Sequence, residues 1–202
     1  AGRAAMPHIL RSTQLDTLYK VIAMLGEEKE IEGLLENVLK LLSKDLGMKR
    51  GMISIVQDEL QEVQLDVAPE VSRRDIDSIS YGIGEGITGR VVATGRPMAV
   101  PNIEQDPLFL DRTGARKKLN RGDLAFICVP IKYRDRVVGA LSVDTVSRGD
   151  EEQLDEEVHF LEAVAELIAR RVNTRRLEEQ ETRLERENML LRSRITDHWR
   201  PE

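Results

Sequence analysis

Cysteine, histidine and aromatic side chains are scarce in this chain. Of 202 residues one is cysteine and three are histidine, and tryptophan, tyrosine and phenylalanine together make 3%. The lone thiol, Cys128, cannot form an internal disulfide or run chemistry that needs a second, resolving cysteine. It fits a reducing cytoplasm. His8, His159 and His198 are scattered and offer no metal-ligand spacing. An iron site drawn from Asp106, Asp111, Asp123 and Cys128 has no spacing that calls for it. No apolar run approaches the ~18 to 20 residues of a membrane span, and the first residues carry no signal-peptide core. The net charge of −6 has the wrong sign for a nucleic-acid surface. The expectation is a cytoplasmic module that uses no metal, meets no membrane and catalyses no reaction.

What is present is a globular composition with a charged end. Hydrophobic residues make 41% and charged residues 33%, which suits one domain of ~150 residues plus an exposed helix. The chain begins at Ala1 rather than Met, and residues 1 to 7 are left out of the fold reasoning. Ile9, Leu10, Leu15, Leu18, Ile22 and Leu25 recur at helical spacing until Gly26. Ile31, Leu34, Leu35, Val38, Leu39 and Leu42 give a second helix one broad apolar face, with Gly47 as its C-cap. "GMISIVQ" (51–57) and "LQEVQLDVA" (60–68) read as strands joined by a tight turn at Asp58-Glu59. A short helical segment follows at 70 to 77. "MAVPNI" (98–103) is an edge strand marked by Pro101, and "DPLFLDRTGARKKLN" is a broken helix entered at Asp106-Pro107. Residues 124 to 146 form a hairpin turning near Arg134-Asp135, and residues 150 to 194 are helical almost throughout. This is an α+β order, one antiparallel sheet between helical layers.

"GEGITG" (84–89) has the spacing of a dinucleotide-binding loop, G-x-G-x-x-G. Such a loop needs a buried strand before it and a helix after it long enough to cross a sheet. Here "DSISY" is short and half polar, and the helix is stopped by Gly95 and Pro97 after about two turns, ~10 Å. The glycines instead serve a tight entry into a short helix, with Glu85 near its positive end and Thr88 in its first turn.

"GEGITGRVVATGRPMAVPNIEQDPLFLDR" followed by "AFICVPIKYRDRVVGALSVD" resembles the GAF domain, a small-molecule sensing module, over residues 31 to 172. The resemblance implies a GAF fold of about six antiparallel strands, with the first and last helices on one face and a ligand pocket on the other. "DPLFLDR" with "FICVPIKYRDRVVGALSVD", and "LERENMLLRSRITDHWRPE" at the end, are similar to the N-terminal GAF domain and linker of NifA-type activators. Those are bacterial, sigma-54-dependent regulators of nitrogen fixation genes. Their phosphate-binding loop, GAFTGA loop and DNA-binding helix-turn-helix do not occur here. The resemblance therefore implies a regulatory segment that controls a downstream AAA+ ATPase absent from this chain. Its input would be a 2-oxoglutarate-like ligand or a PII-type signalling protein, and it would itself touch neither DNA nor polymerase. The domains expected are an N-terminal helix (1–28), a GAF domain (29–172) and a linker or coiled-coil helix (173–202).

Strand period selects the pocket side chains. Val138, Ala140, Ser142 and Asp144 share one face of "VVGALSVD", and Val137, Gly139, Leu141 and Val143 the other. On the neighbouring strand Phe126, Cys128 and Pro130 oppose Ile127, Val129 and Ile131, and the branched aliphatic set suits the helical layer. The candidate ligand-binding residues are Phe126, Cys128, Ser142 and Asp144, joined by Arg112, Asn102 and Arg90, with Arg112 as the fork for an anion. Arg112 held by Asp111 or Asp106, and Ser142 and Asp144 as strand-end residues, are the structural alternatives.

Val158, Leu161, Ala165, Ile168 and Val172 form one stripe on the last helix, the face expected to pack on the sheet or on a twin helix. Leu177, Leu184 and Leu191 then recur at seven-residue spacing with Glu181, Asn188 and Ile195 between them, a coiled-coil pattern for a homodimer through the terminal helices. The step from Val172 to Leu177 breaks the heptad, as a stutter or hinge would. The rival reading is a dimerisation and protein-interaction module with no small ligand. An open polar cavity favours the sensor, and one filled by Phe109, Phe126 and Met98 favours the rival. A cyclic nucleotide is disfavoured because "LNRGDLAF" departs from the N-K-x-F-D-E pattern.

Overall fold

The computed structural model describes residues 5–26, 30–114, 116, 121–146 and 149–198, the side chains of 5–10, 121 and 193–198 excepted. In chain order these are α1 (Ala5–Leu25), α2 (Ile31–Leu46), β1 (Lys49–Gln57), β2 (Glu62–Val67), α3 (Arg73–Ile76), β3 (Ser80–Gly82), α4 (Gly86–Thr94) and β4 (Met98–Val100). A 3-10 turn (Arg121–Asp123), β5 (Leu124–Tyr133), β6 (Arg136–Val146) and α5 (Glu151–His198) follow. The six strands form one antiparallel sheet in the order β3-β2-β1-β6-β5-β4.

Local chemistry accounts for most boundaries. Gly47 ends α2 in the left-handed region (φ 68°), its N–H donating to Ser43 O while Met48 N–H donates to Leu42 O. That closes the helix end without a Cβ penalty. Ser72 caps α3 by accepting the Asp75 N–H. The β5–β6 turn falls at Arg134 (φ 56°) and Asp135, as the sequence predicts. The sixth strand, β3, is the one that composition hides, since "SYG" is too short to show a period. Of residues 106–120, expected as a broken helix, 106–114 and 116 hold turns and bends, and the others lie outside the described residues. Asp106 Oδ1 accepts the Leu108 N–H at 2.7 Å, and that local bond competes with helix entry.

Two apolar cores lie on opposite sides of the sheet. One joins α1, α2 and α5 to Ile53, Ile55, Ile127, Val129, Ile131, Leu141 and Val143. The other packs α4 and the flanking loops on Met52, Val63, Leu65, Phe126, Cys128 and Ala140. The predicted faces hold from Ala140 onward but not at the turn end of β6. Val138 belongs to the helical core and Val137 packs against the other one. A bulge between Ile131 and Lys132 pairs Ile131 with Gly139 and Lys132 with Val137, so the side-chain parity inverts there.

α1 also departs from a one-sided pattern. Val21 is fully buried with Leu18, Met24 and Leu25 beside it, whereas Leu15 and Ile22, with Tyr19, lie on the outer side. Ile9 and Leu10 fall outside the described side chains. The core-facing stripe of α5 is as expected, with Val158, Leu161, Ala165, Ile168 and Val172 all buried.

A Cβ at Gly139 would stand 2.3 Å from Ser54 O, backbone against backbone where β6 meets β1. Gly139→Ala is expected to cost about 2 kcal/mol or more, a Tm loss of ~4–8 °C by calorimetry. Gly33→Ala, where nothing lies within 4 Å, should keep or raise the Tm because alanine favours the helix.

Candidate functional site: a buried carboxylate held by two arginines

The sheet face turned away from the long helices brings four predicted residues together. Phe126 lies opposite Asp144 and Cys128 opposite Ser142 in the β5–β6 register. α4 covers them, and its position depends on the glycine loop. Gly84 and Gly86 take positive φ (88° and 59°), and a Cβ on Gly89 would meet Gly82 O at 2.2 Å. Glu85, at the helix N-cap, folds back to accept the Gly82 N–H at 2.8 Å. The loop thus packs α4 on β3, and Thr88 is brought to Cys128, where its hydrogen bond pulls the thiol pKa down. Burial outweighs that pull and pushes the thiol up to about 12, so Cys128 is a protonated core side chain.

Asp144 has no exposed surface. Arg116 grips it with two parallel bonds, Nε to Oδ2 and Nη2 to Oδ1, both 2.7 Å. Arg50 Nε adds a third at 2.5 Å to Oδ2. The remaining Arg116 nitrogen, Nη1, donates to Asp111 Oδ1 at 3.1 Å. Its guanidinium stands 5.1 Å from the Phe109 ring centre and 5.6 Å from that of Phe126, and the two rings meet edge to face at 5.1 Å. Burial would lower the Arg116 pKa, but the hydrogen bonds and charges of Asp144 and Asp111 outweigh it and leave it raised. Arg50 takes part from a left-handed backbone (φ 49°), a conformation that costs an L-residue ~1–2 kcal/mol, and its N–H is tied to Glu70 Oε1. Chemically this is a two-arginine cradle around one carboxylate, filled by the chain's own Asp144.

The other predicted polar residues lie elsewhere. Arg112 is at the rim, half-exposed, donating to Ser80 O and Glu85 and lying 5.0 Å over Tyr81. Asn102 Oδ1 accepts the Glu104 N–H in the loop after β4. Arg90 is exposed on α4. Met98, Phe109 and Phe126 all belong to this core, so the space is packed. The buried arginine at this site is Arg116, which sequence reasoning missed. It sits in "RTGARKK", where nothing separates it from three other basic residues, Arg112, Lys117 and Lys118.

On α5, Leu177, Leu184 and Asn188 line an open groove with Gln180 and Glu181, and Leu191 is exposed further on. The Ile195 side chain lies outside the described residues. Among the described residues no three His, Cys, Asp or Glu converge as metal ligands, and no helix is long and apolar enough to cross a membrane.

Arg116→Ala would strand a buried carboxylate with Arg50 alone and is expected to cost about 3 kcal/mol. Arg112→Ala removes a rim contact and should cost under about 1 kcal/mol. Urea unfolding of the two variants decides which arginine the site is built on.

Residues 30–172 match the GAF domain family. Among curated relatives, the Nif-specific regulatory protein of Azospirillum brasilense is 36% identical over 180 residues, covering 89% of this chain and 29% of that protein. Nitrogen fixation protein VnfA of Azotobacter vinelandii is 31% identical, covering 95% of this chain and 37% of that one. This chain therefore spans about a third of the length of those relatives. The crystal structure of the A. aeolicus nlh2 GAF domain in an inactive state superposes with a TM-score of 0.74 at 24% identity, over 82% of this chain and 99% of that one. By its six-stranded sheet and by the match over most of its length, this chain belongs to the GAF domain family.

Proposed function

We propose that this chain is the regulatory segment of a NifA-type, sigma-54-dependent activator of nitrogen fixation genes. It would restrain or license a downstream AAA+ ATPase and catalyse nothing itself. The observation that carries this reading is the extent of the similarity. Relatives named for nitrogen fixation align over 89% and 95% of the chain, beyond the 30–172 span of the family. DNA and the polymerase would be contacted by other parts of such an activator.

The input is a 2-oxoglutarate-like dicarboxylate or a PII-type protein. Arg116 and Arg50 are the groups that support the small ligand. A carboxylate of a ligand could take the place of Asp111 on Arg116 Nη1, whose bond is the longest of that guanidinium. In this role Arg116 replaces the rim residue Arg112. A second reading, an interaction and dimerisation module without a ligand, is favoured by the edge-to-face packing of Phe109 and Phe126 where a cavity would lie. Under both readings the terminal helices pair two copies. Leu15, Tyr19 and Ile22 of α1 are 55%, 66% and 50% exposed, and Leu177 and Leu184 of α5 are each 51% exposed. Such stripes are costly to leave in water.

A thermal melt with millimolar 2-oxoglutarate, glutamine and cyclic nucleotides tests the input. At 100 times its Kd a ligand adds ~2.7 kcal/mol, a shift of several degrees. A shift with 2-oxoglutarate that is lost in Arg116→Met supports the sensor, and none with any compound supports the interaction module. Sedimentation tests the pairing: the chain should run as a dimer at micromolar concentration, and Leu177→Glu with Leu184→Glu as a monomer of unchanged fold. Turnover of ATP or of methionine sulfoxide would overturn the regulatory reading.

A further inference from the structure

α5 does not leave the domain at Val172. The helix is continuous from Glu151 to His198, and beyond the core stripe three arginines fasten it to the β1–β2 hairpin. Arg176, 5% exposed, donates from Nε to Val56 O at 3.2 Å and pairs through Nη2 with Asp58. Asp58 is also held by Arg136 at the start of β6, at 2.5 Å, so one carboxylate joins both hairpins to the helix. One helical turn pair further, Arg183 reaches Gln57 Oε1 at 2.9 Å and Glu59 Oε2 at 3.2 Å. On the flank, Arg175 spans Asp66 of β2 at 2.8 Å, Glu179 at 3.0 Å and Glu32 of α2 at 3.8 Å.

The fastening is polar where the rest of the helical layer is aliphatic, and it is incompletely satisfied. Asp66 Oδ2 and Arg175 Nη1 are buried without a hydrogen-bond partner. Such groups recover their bonds in water, so they favour release of the segment. Aliphatic packing at the same place would hold the helix permanently, whereas charge pairs partly open to solvent exchange readily for water. Burial lifts the Asp66 carboxyl to about 7, against the pull of Arg175 and with the help of Glu179, which weakens this corner further.

We propose that the tip of the β1–β2 hairpin is an intramolecular docking site for the output helix, and that residues 173–183 open and close on it while residues 151–172 stay in the core. The hairpin then controls the direction in which the exposed leucines of α5 are presented. This holds whichever input acts on the Arg116 site, so a negative ligand melt does not bear on it.

Hydrogen exchange read by mass spectrometry on the whole chain tests it. In the unaltered protein, amides of 173–183 should exchange at least ten-fold faster than those of 158–168 and ten-fold slower than in Arg176→Ala with Arg183→Ala. Residues 158–168 should be unaffected by those changes. Glu59→Arg alone should accelerate 173–183, and Glu59→Arg with Arg183→Glu should restore the protection. Three results would overturn the proposal. They are exchange of 173–183 only together with the core, no acceleration in the double alanine variant, and equal acceleration of both segments.

Discussion

The register of β6 between β1 and β5 is the constraint on which the rest of the molecule depends. β6 is a central strand buried on both faces, so every side chain from Val138 to Asp144 must find a partner on one side or the other. Leu141 and Val143 go to the helices, and Ala140, Ser142 and Asp144 to the opposite face. A one-residue slip would place Asp144 among the aliphatic residues of α5. Two features pin the register. Gly139 has no side chain because Ser54 O occupies that space, and the bulge beside Lys132 absorbs the extra residue at the turn. The second permits Val138 to enter the helical core while Val137 serves the other.

Placing Asp144 on that face creates an electrostatic problem, and the arginines solve it. A buried carboxylate without partners is strongly disfavoured, and a buried ion pair is seldom more stable than apolar residues of the same volume. Phe109 and Phe126 already show that this core can be apolar. The pair is therefore poorly explained by stability alone. What it adds is a single geometry, because a bidentate fork fixes distance and orientation together. It also couples segments far apart in sequence, joining Arg50 at the start of β1, Arg116 in the long connection and Asp144 near the end of the last strand. A change at any one of them is felt by the other two.

Legibility in the sequence follows the range of the forces involved. The period of α2, its Gly47 cap, the β5–β6 hairpin and the α5 stripe are local patterns, and the sequence carries them. The two faces of β5 are equally legible, because Phe126 and Cys128 alternate with Ile127 and Val129 without interruption. Val138 falls on the face opposite to the one its strand period predicts, because a bulge leaves no mark in composition. The 106–120 segment resembles a broken helix in sequence because an aspartate before proline starts helices and turns alike, and the side-chain bond of Asp106 decides between them only in three dimensions. The sequence offers Arg112 of "FLDR" as the planar fork for an anion, and only the fold shows that Arg116 is the arginine facing the buried Asp144. The outer and inner stripes of α1 are not separable in sequence, since Leu15, Leu18, Ile22 and Leu25 satisfy helical spacing whichever side the sheet lies on.

α5 shows how one helix can carry several instructions at once. Its first half is apolar on the side facing the sheet, and the heptad break after Val172 marks the place where that packing gives way to arginines rather than a break in the helix. Arg176 and Arg183 are seven residues apart and therefore lie nearly in line along the helix. Leu177 and Leu184 are each one residue further on, ~100° around the axis. The charged stripe thus faces the hairpin while the leucine stripe looks sideways into solvent, into the groove shared with Gln180 and Asn188. Since the helix is continuous, fixing the azimuth of one stripe fixes that of the other. A small shift of the hairpin that holds the arginines turns or frees the leucines directly.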